Sequence, residues 1–243
     1  MDKKDFTLEV IEIFRETHDV KTIRFKLDKP LNFKAGQFLM LHMDIPDKDG
    51  KIENVKRPFS IASSPDHKDW IDINFRVYSF GRFTPPLFNL KIGDKIKADG
   101  PYGIFTYEEG EAKNVVFLAA GTGIAPLRGM IEFIKEKNLD VNMTLFSCCK
   151  TTEDMIFHEE FLKLAEKNKK FVYIPTITRI NECKKEWKGE KGRICIEMIK
   201  KYIKDLKDHL FYICGPNEMV KDSRDFLISE GINPKKIKIE MFH

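Results

Sequence analysis

The pattern of hydrophobic and polar positions divides the chain into two halves. In the first half, apolar and polar residues alternate over short stretches, with the period of two that is typical of a half-buried strand. Such a series, with turn residues between its members, favours a small closed antiparallel barrel. The predicted strands lie at residues 6–14, 20–27, 35–41, 57–64, 70–78 and 95–98. The polar stretch 44–56, which contains Pro46 and Gly50, is predicted to be a loop.

The pattern changes after residues 107–113, which are charged and lack periodicity. Apolar runs then alternate with stretches of helical spacing, a pattern that favours a parallel sheet with helices on both faces. The predicted strands are 115–120, 141–147, 171–177, 210–214 and 236–241, and the predicted helices are 126–137, 154–168, 195–204 and 217–230. We therefore expect an antiparallel six-stranded β-barrel domain at 1–110 and an α/β domain at 111–243.

Composition narrows the class of function. With 42 basic and 38 acidic residues, the net charge of +4 is too small to predict nucleic-acid binding. The 5 cysteines are odd in number and have no CxxC or CxxxxCxxC spacing. This argues against a disulfide framework, a zinc site and a cysteine-ligated iron–sulfur cluster, so we expect no metal and a cytoplasmic protein with reduced thiols. No apolar run approaches the ~20 residues needed to span a membrane, and the polar N-terminal sequence lacks a secretory signal.

A glycine-rich turn, Gly121-Thr122-Gly123-Ile124-Ala125-Pro126, connects a predicted strand to a predicted helix. Two glycines let the backbone turn sharply and approach a ligand closely, and Pro126 suits the first turn of a helix. The start of a helix offers unpaired N–H groups to an anion such as a pyrophosphate. An ordinary strand–helix connection would account for the same residues, so the turn alone leaves both interpretations open. Ligands of parallel sheets bind at the carboxyl ends of strands, where 148–149, 178–179 and 214–216 also fall.

The first half holds a second candidate anion site of the same kind. Thr84 is predicted to be the N-cap of a short helix that ends near Leu90, with Pro85 at its first position. Arg57 offers a fork of donors that suits phosphate oxygens. The next residues could present the ring of Phe59 and the hydroxyl of Ser60 to a planar ligand, although a surface arginine and a core phenylalanine would fit the same pattern.

Taken in order, these segments resemble the motifs of the ferredoxin–NADP reductase superfamily over the whole chain. The segments that carry the resemblance are Arg57-Pro58-Phe59-Ser60, Gly81-x-x-Thr84-x-x-Leu87, Gly100-Pro101-Tyr102-Gly103-Ile104-Phe105, Gly121-Thr122-Gly123-Ile124-Ala125-Pro126, Cys214-Gly215-Pro216 and Glu240-Met241-Phe242. The resemblance implies an FAD-binding barrel followed by an NAD(P)-binding α/β domain.

The resemblance also implies roles for single residues. Ser60, Cys214 and Glu240 would be catalytic, with Ser60 near flavin N5 and Cys214 beside nicotinamide C4. Phe59, where the family usually has tyrosine, would lie against the isoalloxazine. The implied FAD-binding residues are Arg57, Pro58, Phe59, Ser60, Gly81, Thr84 and Phe242. The implied nucleotide-binding residues are Gly121, Thr122, Gly123, Pro126, Thr178, Arg179, Lys191, Arg193, Gly215 and Pro216.

Some positions depart from the family pattern. Lys150 stands where the family usually has arginine, and Cys148 stands where glycine is common. Because His243 follows Phe242, either residue could cap the flavin, or the tail could hang free.

The implied coenzyme is NADP(H) rather than NAD(H). Thr178-Arg179 occupies the position of a Ser-Arg pair that binds the 2′-phosphate, Lys191 lies at the matching offset, and Arg193 stands where a stacking tyrosine would be. NADH-using relatives can also carry such a pair, and a solvated lysine-rich loop would explain the same residues.

Three functions fit this resemblance. The first is a reductase that passes electrons from NAD(P)H through FAD to an acidic carrier such as ferredoxin or flavodoxin. Arg76, Arg82, Lys91 and Lys95 would then steer the carrier to the barrel half. The second is a flavin reductase or diaphorase that uses small acceptors, and the third is a non-catalytic subunit that kept the fold. The cysteine spacing provides no internal one-electron relay, which favours the first.

Overall fold

The computed structural model describes residues 4–242. The chain divides into two compact units, and each contains one six-stranded sheet. Unit 1 comprises residues up to 108 together with 128–136, and unit 2 comprises 109–127 together with the residues from 137 onward. Among the helices between residues 4 and 242, none is long and apolar enough to cross a membrane.

Unit 1 is built on an antiparallel sheet with the order β4-β3-β6-β1-β2-β5. Its strands are β1 Lys4–Arg15, β2 Val20–Leu27, β3 Phe38–Pro46, β4 Ile52–Ser60, β5 Trp70–Arg76 and β6 Lys95–Tyr102, with helix α1 Thr84–Phe88 between β5 and β6. Ile61, which follows edge strand β4, forms a bridge with Ile73 of the other edge strand, so the sheet curls back on itself. The predicted antiparallel six-stranded barrel is confirmed.

The expectation of a loop at 44–56 was wrong. Strands β3 and β4 pair continuously from Phe38–Ser60 to Pro46–Ile52, so most of this stretch is a β-hairpin. Polar residues lie along both strands here, and Asn54 donates to Asp44 across the pair at 2.8 Å. Because this end of the hairpin is largely exposed, its sequence lacks the apolar alternation by which strands are recognised.

A buried carboxylate links the three neighbouring strands β4, β3 and β6 at one edge of the sheet. Asp99 on β6 is 5% exposed. His42 Nε2 lies 2.5 Å from its carboxylate, Lys56 Nζ lies 3.1 Å away, and the Tyr102 hydroxyl donates to it. Burial alone would raise the pKa of Asp99, but the hydrogen bonds from Tyr102, Lys56 and His42 outweigh burial and lower it. The hydrogen bond between Tyr102 and Asp99 in turn raises the pKa of Tyr102 to about 12.

Unit 2 has a parallel sheet with the order β10-β9-β8-β7-β11-β12. Its strands are β7 Asn114–Ala120, β8 Asn142–Cys149, β9 Phe171–Ile177, β10 Glu190–Lys191, β11 Leu210–Pro216 and β12 Ile237–Phe242. The helices after β7 are α2 Ile124–Glu136, α3 His158–Lys167, α4 Ile196–Tyr202 and α5 Asn217–Ser229. Residues 128–136 of α2 belong to unit 1.

Alternate side chains along the strands of this sheet pack against helices on opposite faces. Val116 and Phe211 belong to the same buried cluster as Ile199 of α4 and Val220 of α5. On α3, Phe161 contacts the rings of Phe171 and Tyr173 of β9, with centroids 5.9 and 5.4 Å apart. The predicted parallel sheet with helices on both faces is therefore confirmed.

The second half also differs from expectation at two places. Helix α3 begins at His158 rather than 154, because Thr151 and Asp154 form a capping box around a separate 3-10 turn. The two-residue strand β10 lies in a stretch that was predicted to have no strand. A strand this short has too few residues for any periodicity to be visible.

Candidate functional site

The glycine-rich turn of unit 2 forms a single 3-10 turn at Gly121–Gly123, and helix α2 follows at once from Ile124. Pro126 is therefore the third residue of the helix, within the first turn, where backbone N–H groups have no intrahelical partner. Gly121 has φ of +55°, and a Cβ placed there would have no atom of the described residues within 4 Å. The turn thus has open space directly in front of its backbone, as a bound pyrophosphate requires.

Gly123 is needed for a different reason. A Cβ at this position would lie 2.3 Å from the carbonyl oxygen of Cys214 and 2.7 Å from Cα of Gly215. A Cβ on Gly215 would in turn lie 3.2 Å from the Ala120 side chain. The absence of side chains therefore lets the turn after β7 pack directly on the end of β11, which brings two of the predicted segments together.

Cys214 and Glu240 are neighbours across parallel strands. In the register of the sheet, Cys214 on β11 lies between Ala119 of β7 and Glu240 of β12. Burial, and to a lesser degree the Glu240 carboxylate, raise the pKa of the Cys214 thiol well above its ordinary value. The thiol is thus protonated at neutral pH, which excludes a thiolate nucleophile here.

The end of β9 carries the predicted 2′-phosphate residues. The carbonyl oxygen of Cys149, at the end of β8, accepts hydrogen bonds from the Thr178 amide at 3.0 Å and from the Thr178 hydroxyl at 3.3 Å. Arg179 N–H donates to the carbonyl of Lys150 at 2.8 Å. Strand β10 pairs Lys191 with Ile177, so Lys191 lies beside the same strand end. The structure thus brings Thr178, Arg179 and Lys191 together on one rim.

Two of the predicted cations have acidic partners. Arg179 Nη1 lies 3.4 Å from Glu182, and Arg193 Nη1 lies 3.1 Å from Glu218. Both pairs are more than half exposed, and such pairs contribute little free energy. A phosphate could therefore replace either carboxylate at small cost. Neither Glu182 nor Glu218 belongs to a motif, so no sequence signal selects them.

The segment of unit 1 that is expected to bind the flavin lies at the end of β4. Arg57 is exposed, and its guanidinium donates to the carbonyl of Lys56 at 2.7 Å. Phe59 is partly buried between the rings of Phe75 and Phe83, with centroids 5.9 and 5.6 Å away. Ser60 is buried. An exposed cation, a partly exposed ring and a hydroxyl thus follow one another along a single strand end.

The expectation that Thr84 caps α1 was wrong. The N-cap is Phe83, and Thr84 is the first residue of a helix that ends at Phe88 rather than near Leu90. The Thr84 hydroxyl accepts a hydrogen bond from the Tyr78 amide at 3.0 Å. A Cβ on Gly81 would lie 3.1 Å from the Tyr78 carbonyl and 3.3 Å from that hydroxyl. Thr84 therefore closes the turn before the helix, a role that only the tertiary contact reveals.

Most of the predicted steering cations are neutralised within unit 1. Arg76 pairs with Asp19 at 2.7 Å, Arg82 with Glu53 at 3.1 Å and Lys95 with Glu9 at 3.1 Å. These three side chains therefore add little net positive potential.

At the other end of the chain, Phe242 pairs in register with Pro216 on β11, so at this residue the tail is part of the sheet. His243 lies outside the described residues.

Comparison with known proteins gives two family matches. The model of an oxidoreductase FAD-binding domain matches residues 7–107, and that of an oxidoreductase NAD-binding domain matches residues 117–225. With the fold and the sites above, these matches define an FAD- and NAD-binding oxidoreductase. The chain belongs to the ferredoxin–NADP reductase superfamily, as its motifs indicated.

Several relatives are reductases of multicomponent enzymes. The chain is 28% identical to the phenol 2-monooxygenase reductase component DmpP of Pseudomonas sp. strain CF600, over 92% of this chain and 62% of that protein. It is 29% identical to the glycine betaine monooxygenase reductase subunit of Chromohalobacter salexigens, over 96% and 62%, respectively. Identity to NADH-cytochrome b5 reductase 2 of Mycosarcoma maydis is 29%, over 89% and 63%. The chain thus spans less than two thirds of the length of these relatives.

Solved structures support the fold. The flavohem-like FAD/NAD-binding domain of nitric oxide dioxygenase from Vibrio cholerae matches with a TM-score of 0.86 at 20% identity, over 98% of both chains. A ferredoxin NADP+ reductase from Neisseria gonorrhoeae with bound FAD and NADP matches with a TM-score of 0.81 at 23% identity, also over 98% of both.

Proposed function

We propose that the chain transfers a hydride from NAD(P)H to FAD and passes the electrons to a separate carrier protein such as ferredoxin or flavodoxin. The observation that carries this proposal is the packing of Gly123 on the Cys214 carbonyl. This contact fixes the turn assigned to the pyrophosphate and the thiol assigned to nicotinamide C4 in one rigid unit. Hydride transfer depends on such positioning, because the reacting atoms must be held near contact distance.

In this proposal the residues of unit 1 hold the flavin. Arg57 and Thr84 bind its phosphates, Phe59 presents a ring to the isoalloxazine, and Ser60 supplies a hydroxyl near N5. The chemistry supplied by bound FAD is uptake of a hydride and release of its two electrons one at a time. The exposed guanidinium of Arg57 is a donor-only group and suits a diphosphate.

In unit 2, Cys214 orients the nicotinamide as a neutral thiol, and its raised pKa supports this role. Glu240, which is partly exposed beside it, assists proton or electron exchange. Phe242 continues the same strand and is assigned to the flavin.

We propose NADP(H) as the preferred coenzyme. Arg179 and Lys191 lie beside one strand end, and the Thr178 backbone is fixed by Cys149. A 2′-phosphate needs such a combination of cations and donors. The name of one relative specifies NADH, so the rates of flavin reduction by NADPH and by NADH must be compared.

A carrier protein is supported by the relatives that are named as reductase components or subunits of monooxygenases. The neutralised cations of unit 1 reduce the case for an acidic partner, and the dependence of carrier reduction on ionic strength would measure the steering that remains. The cytoplasm is the proposed compartment, supported by the free state of all five cysteines. Small acceptors, as in a flavin reductase or diaphorase, are the alternative.

Stopped-flow kinetics of the FAD-loaded protein would test the proposal. We expect NADPH to reduce the flavin faster than NADH, and the reduced protein to be reoxidised faster by ferredoxin or flavodoxin than by free FMN. Cys214→Ala should slow flavin reduction without changing the FAD content, and Glu240→Gln should slow reoxidation more than it weakens nucleotide binding. Equal reduction rates in Cys214→Ala and wild type would contradict the role of Cys214, and faster reoxidation by free FMN would favour the diaphorase.

A further inference from the structure

Three metal-ligating side chains of unit 1 meet at a point outside the segments discussed so far. They are His67, in the segment between β4 and β5, and Glu132 and Glu136, in the second half of α2. One ligand atom of each lies within 4.8 Å of the other two. His67 Nε2 is 3.2 Å from Glu136 Oε1 and 3.7 Å from Glu132 Oε1.

The helix brings both carboxylates to the same place. Residues four apart lie one above the other on a helix, so Glu132 and Glu136 share a face. Gly129 lies on the adjacent part of that face, and a Cβ there would be 3.0 Å from the carbonyl oxygens of Ile61 and Ser63. The helix backbone therefore lies directly on the segment that leads to His67.

The site is held by contacts of the kind that orient metal ligands. The second oxygen of Glu132 accepts the Ser64 N–H at 2.8 Å, which leaves Oε1 directed to His67. The His67 ring stacks on Trp70, with centroids 3.8 Å apart and planes inclined by 22°. Ligating carboxylates and histidines are commonly fixed by such outer contacts. The three side chains are only 22%, 13% and 24% exposed.

The environment of the His67 ring nitrogen also points to a bound ion. Nε2 is buried and forms no hydrogen bond with any group between residues 4 and 242. Two carboxylate oxygens are nevertheless within 4 Å. An ordinary histidine–glutamate ion pair would direct the ring N–H at one oxygen. A nitrogen that is close to both oxygens but bonded to neither instead suits an ion between the three groups.

The distances fit a small cation. Zinc bonds to nitrogen and oxygen are about 2.0–2.2 Å, so two ligand atoms on a tetrahedral ion are separated by about 3.3–3.6 Å. The separations of 3.2 and 3.7 Å are near this range. A neutral imidazole and two carboxylates also balance the charge of a divalent cation. We propose that His67, Glu132 and Glu136 bind a divalent transition-metal ion of the zinc type, with water at the remaining position.

One neighbouring cation opposes the ion. Arg128 Nη2 is 3.9 Å from Glu132 Oε1, while its Nη1 donates to the Ala62 carbonyl at 2.7 Å and to Asp72 at 3.2 Å. Because Arg128 is held by these bonds, it remains near Glu132 and weakens that ligand. Glu136 and His67 should therefore contribute most to affinity. The bound ion would tie the segment that follows Ser60 to α2.

Calorimetric titration of the FAD-loaded chain with Zn²⁺ would test this site. We expect one Zn²⁺ per chain, bound at least tenfold more weakly by His67→Asn and by Glu136→Gln. His209→Asn is the matched control, since the His209 ring lies in unit 2, where its Nδ1 is 2.7 Å from the Asp205 carbonyl and its ring is 6.4 Å from that of Phe211. This variant should bind Zn²⁺ as wild type does. If cysteine thiols elsewhere bound the zinc instead, His67→Asn would not change the Zn²⁺ affinity, which would contradict the proposed site.

A second readout separates binding from folding. Zn²⁺ at about a hundredfold excess over its Kd should raise the Tm of the wild type by about 5 °C or more, reversibly with EDTA. It should not raise the Tm of Glu136→Gln, a substitution that keeps the side-chain volume at this partly exposed position. The proposal would be overturned if both variants still bound one Zn²⁺ per chain as wild type does, or if the wild type bound Zn²⁺ only with a Kd above about 100 µM.

Discussion

The candidate nucleotide site of unit 2 and the candidate flavin site of unit 1 differ in the atoms that form them. In unit 2 the candidate nucleotide site is mainly backbone: Gly121 leaves open space, Gly123 packs on a carbonyl, and Cys149 and Lys150 hold residues 178–179 through their carbonyl oxygens. In unit 1 the candidate flavin site is mainly side chain: the Arg57 guanidinium, the Phe59 ring and the Thr84 hydroxyl.

This difference has a consequence for tolerance to substitution. A backbone surface can be disrupted by a single added methyl group, because carbonyl atoms cannot move aside independently of their strand. A side-chain surface loses one contact at a time and keeps the rest. We therefore expect substitutions in unit 2 to have abrupt effects and substitutions in unit 1 to have graded ones.

Gly123→Ala should have the largest effect. Its Cβ would overlap the Cys214 carbonyl, so the turn or the end of β11 must shift. We expect kcat/KM for NADPH to fall about a hundredfold or more, which corresponds to about 2.7 kcal/mol, with FAD content unchanged. Gly110→Ala is the control: it lies in unit 2 outside the candidate site, its Cβ would meet no described atom, and its positive φ costs roughly 1–2 kcal/mol of stability. An equal kinetic loss in both variants would break the distinction between the two glycines.

Arg179→Ala should have the next largest effect. Loss of one charge-assisted contact, worth about 1.5–3 kcal/mol, should raise KM for NADPH roughly tenfold or more. The KM for NADH should change little, because NADH lacks the 2′-phosphate. Steady-state kinetics with both coenzymes measure this. Glu182→Gln removes only the acidic partner of Arg179 and should leave KM for NADPH the same or lower; a variant that loses both coenzymes equally would refute the assignment.

Thr84→Val should have a smaller effect, and on the flavin only. Without the hydroxyl, the Tyr78 amide loses its acceptor, and about 1 kcal/mol corresponds to FAD binding about fivefold weaker. Thr84→Ser keeps the hydroxyl and should bind FAD as wild type does. Fluorescence titration of the apoprotein with FAD provides the affinities, and an unchanged Kd in Thr84→Val would show that this turn does not support the flavin.

Asp99→Asn should change the pH dependence of unit 1 rather than catalysis. The folded pKa of Asp99 is lowered, so the unfolded chain binds more protons in acid. The resulting stability is present above the unfolded value of about 3.9 and is lost as pH falls through the folded pKa. Tm measured from pH 7 to pH 3 should therefore fall more steeply for wild type than for Asp99→Asn. Parallel curves would show that the carboxylate does not depend on its three partners.

The sequence predicted unit 2 better than unit 1 for a physical reason. Strands buried on both faces are continuous apolar runs, and β7 and β9 were placed to within one residue. The exposed end of the β3–β4 hairpin has no such signal, so its sequence predicts a loop. The glycines of the turn at 121–123 were recognisable because few other residues fit there.

Other features depend on contacts between distant residues. The neighbourhood of Cys214 and Glu240 follows from the strand register, which the sequence does not specify. The Thr84 hydroxyl accepts from the Tyr78 amide and not from its own helix, and the capping pattern of the sequence does not distinguish these two roles. His67 lies 65 or more positions from Glu132 and Glu136, so no spacing rule could group them.

The protonated state of Cys214 also bears on the chemical durability of the protein. Peroxide and alkylating agents attack the thiolate, and access as well as ionisation controls the rate. A thiol that is fully buried and beside a carboxylate is protected in both respects. Cys214, which we propose to lie beside the nicotinamide, should thus be among the last cysteines to be oxidised, and the partly exposed Cys183 among the first.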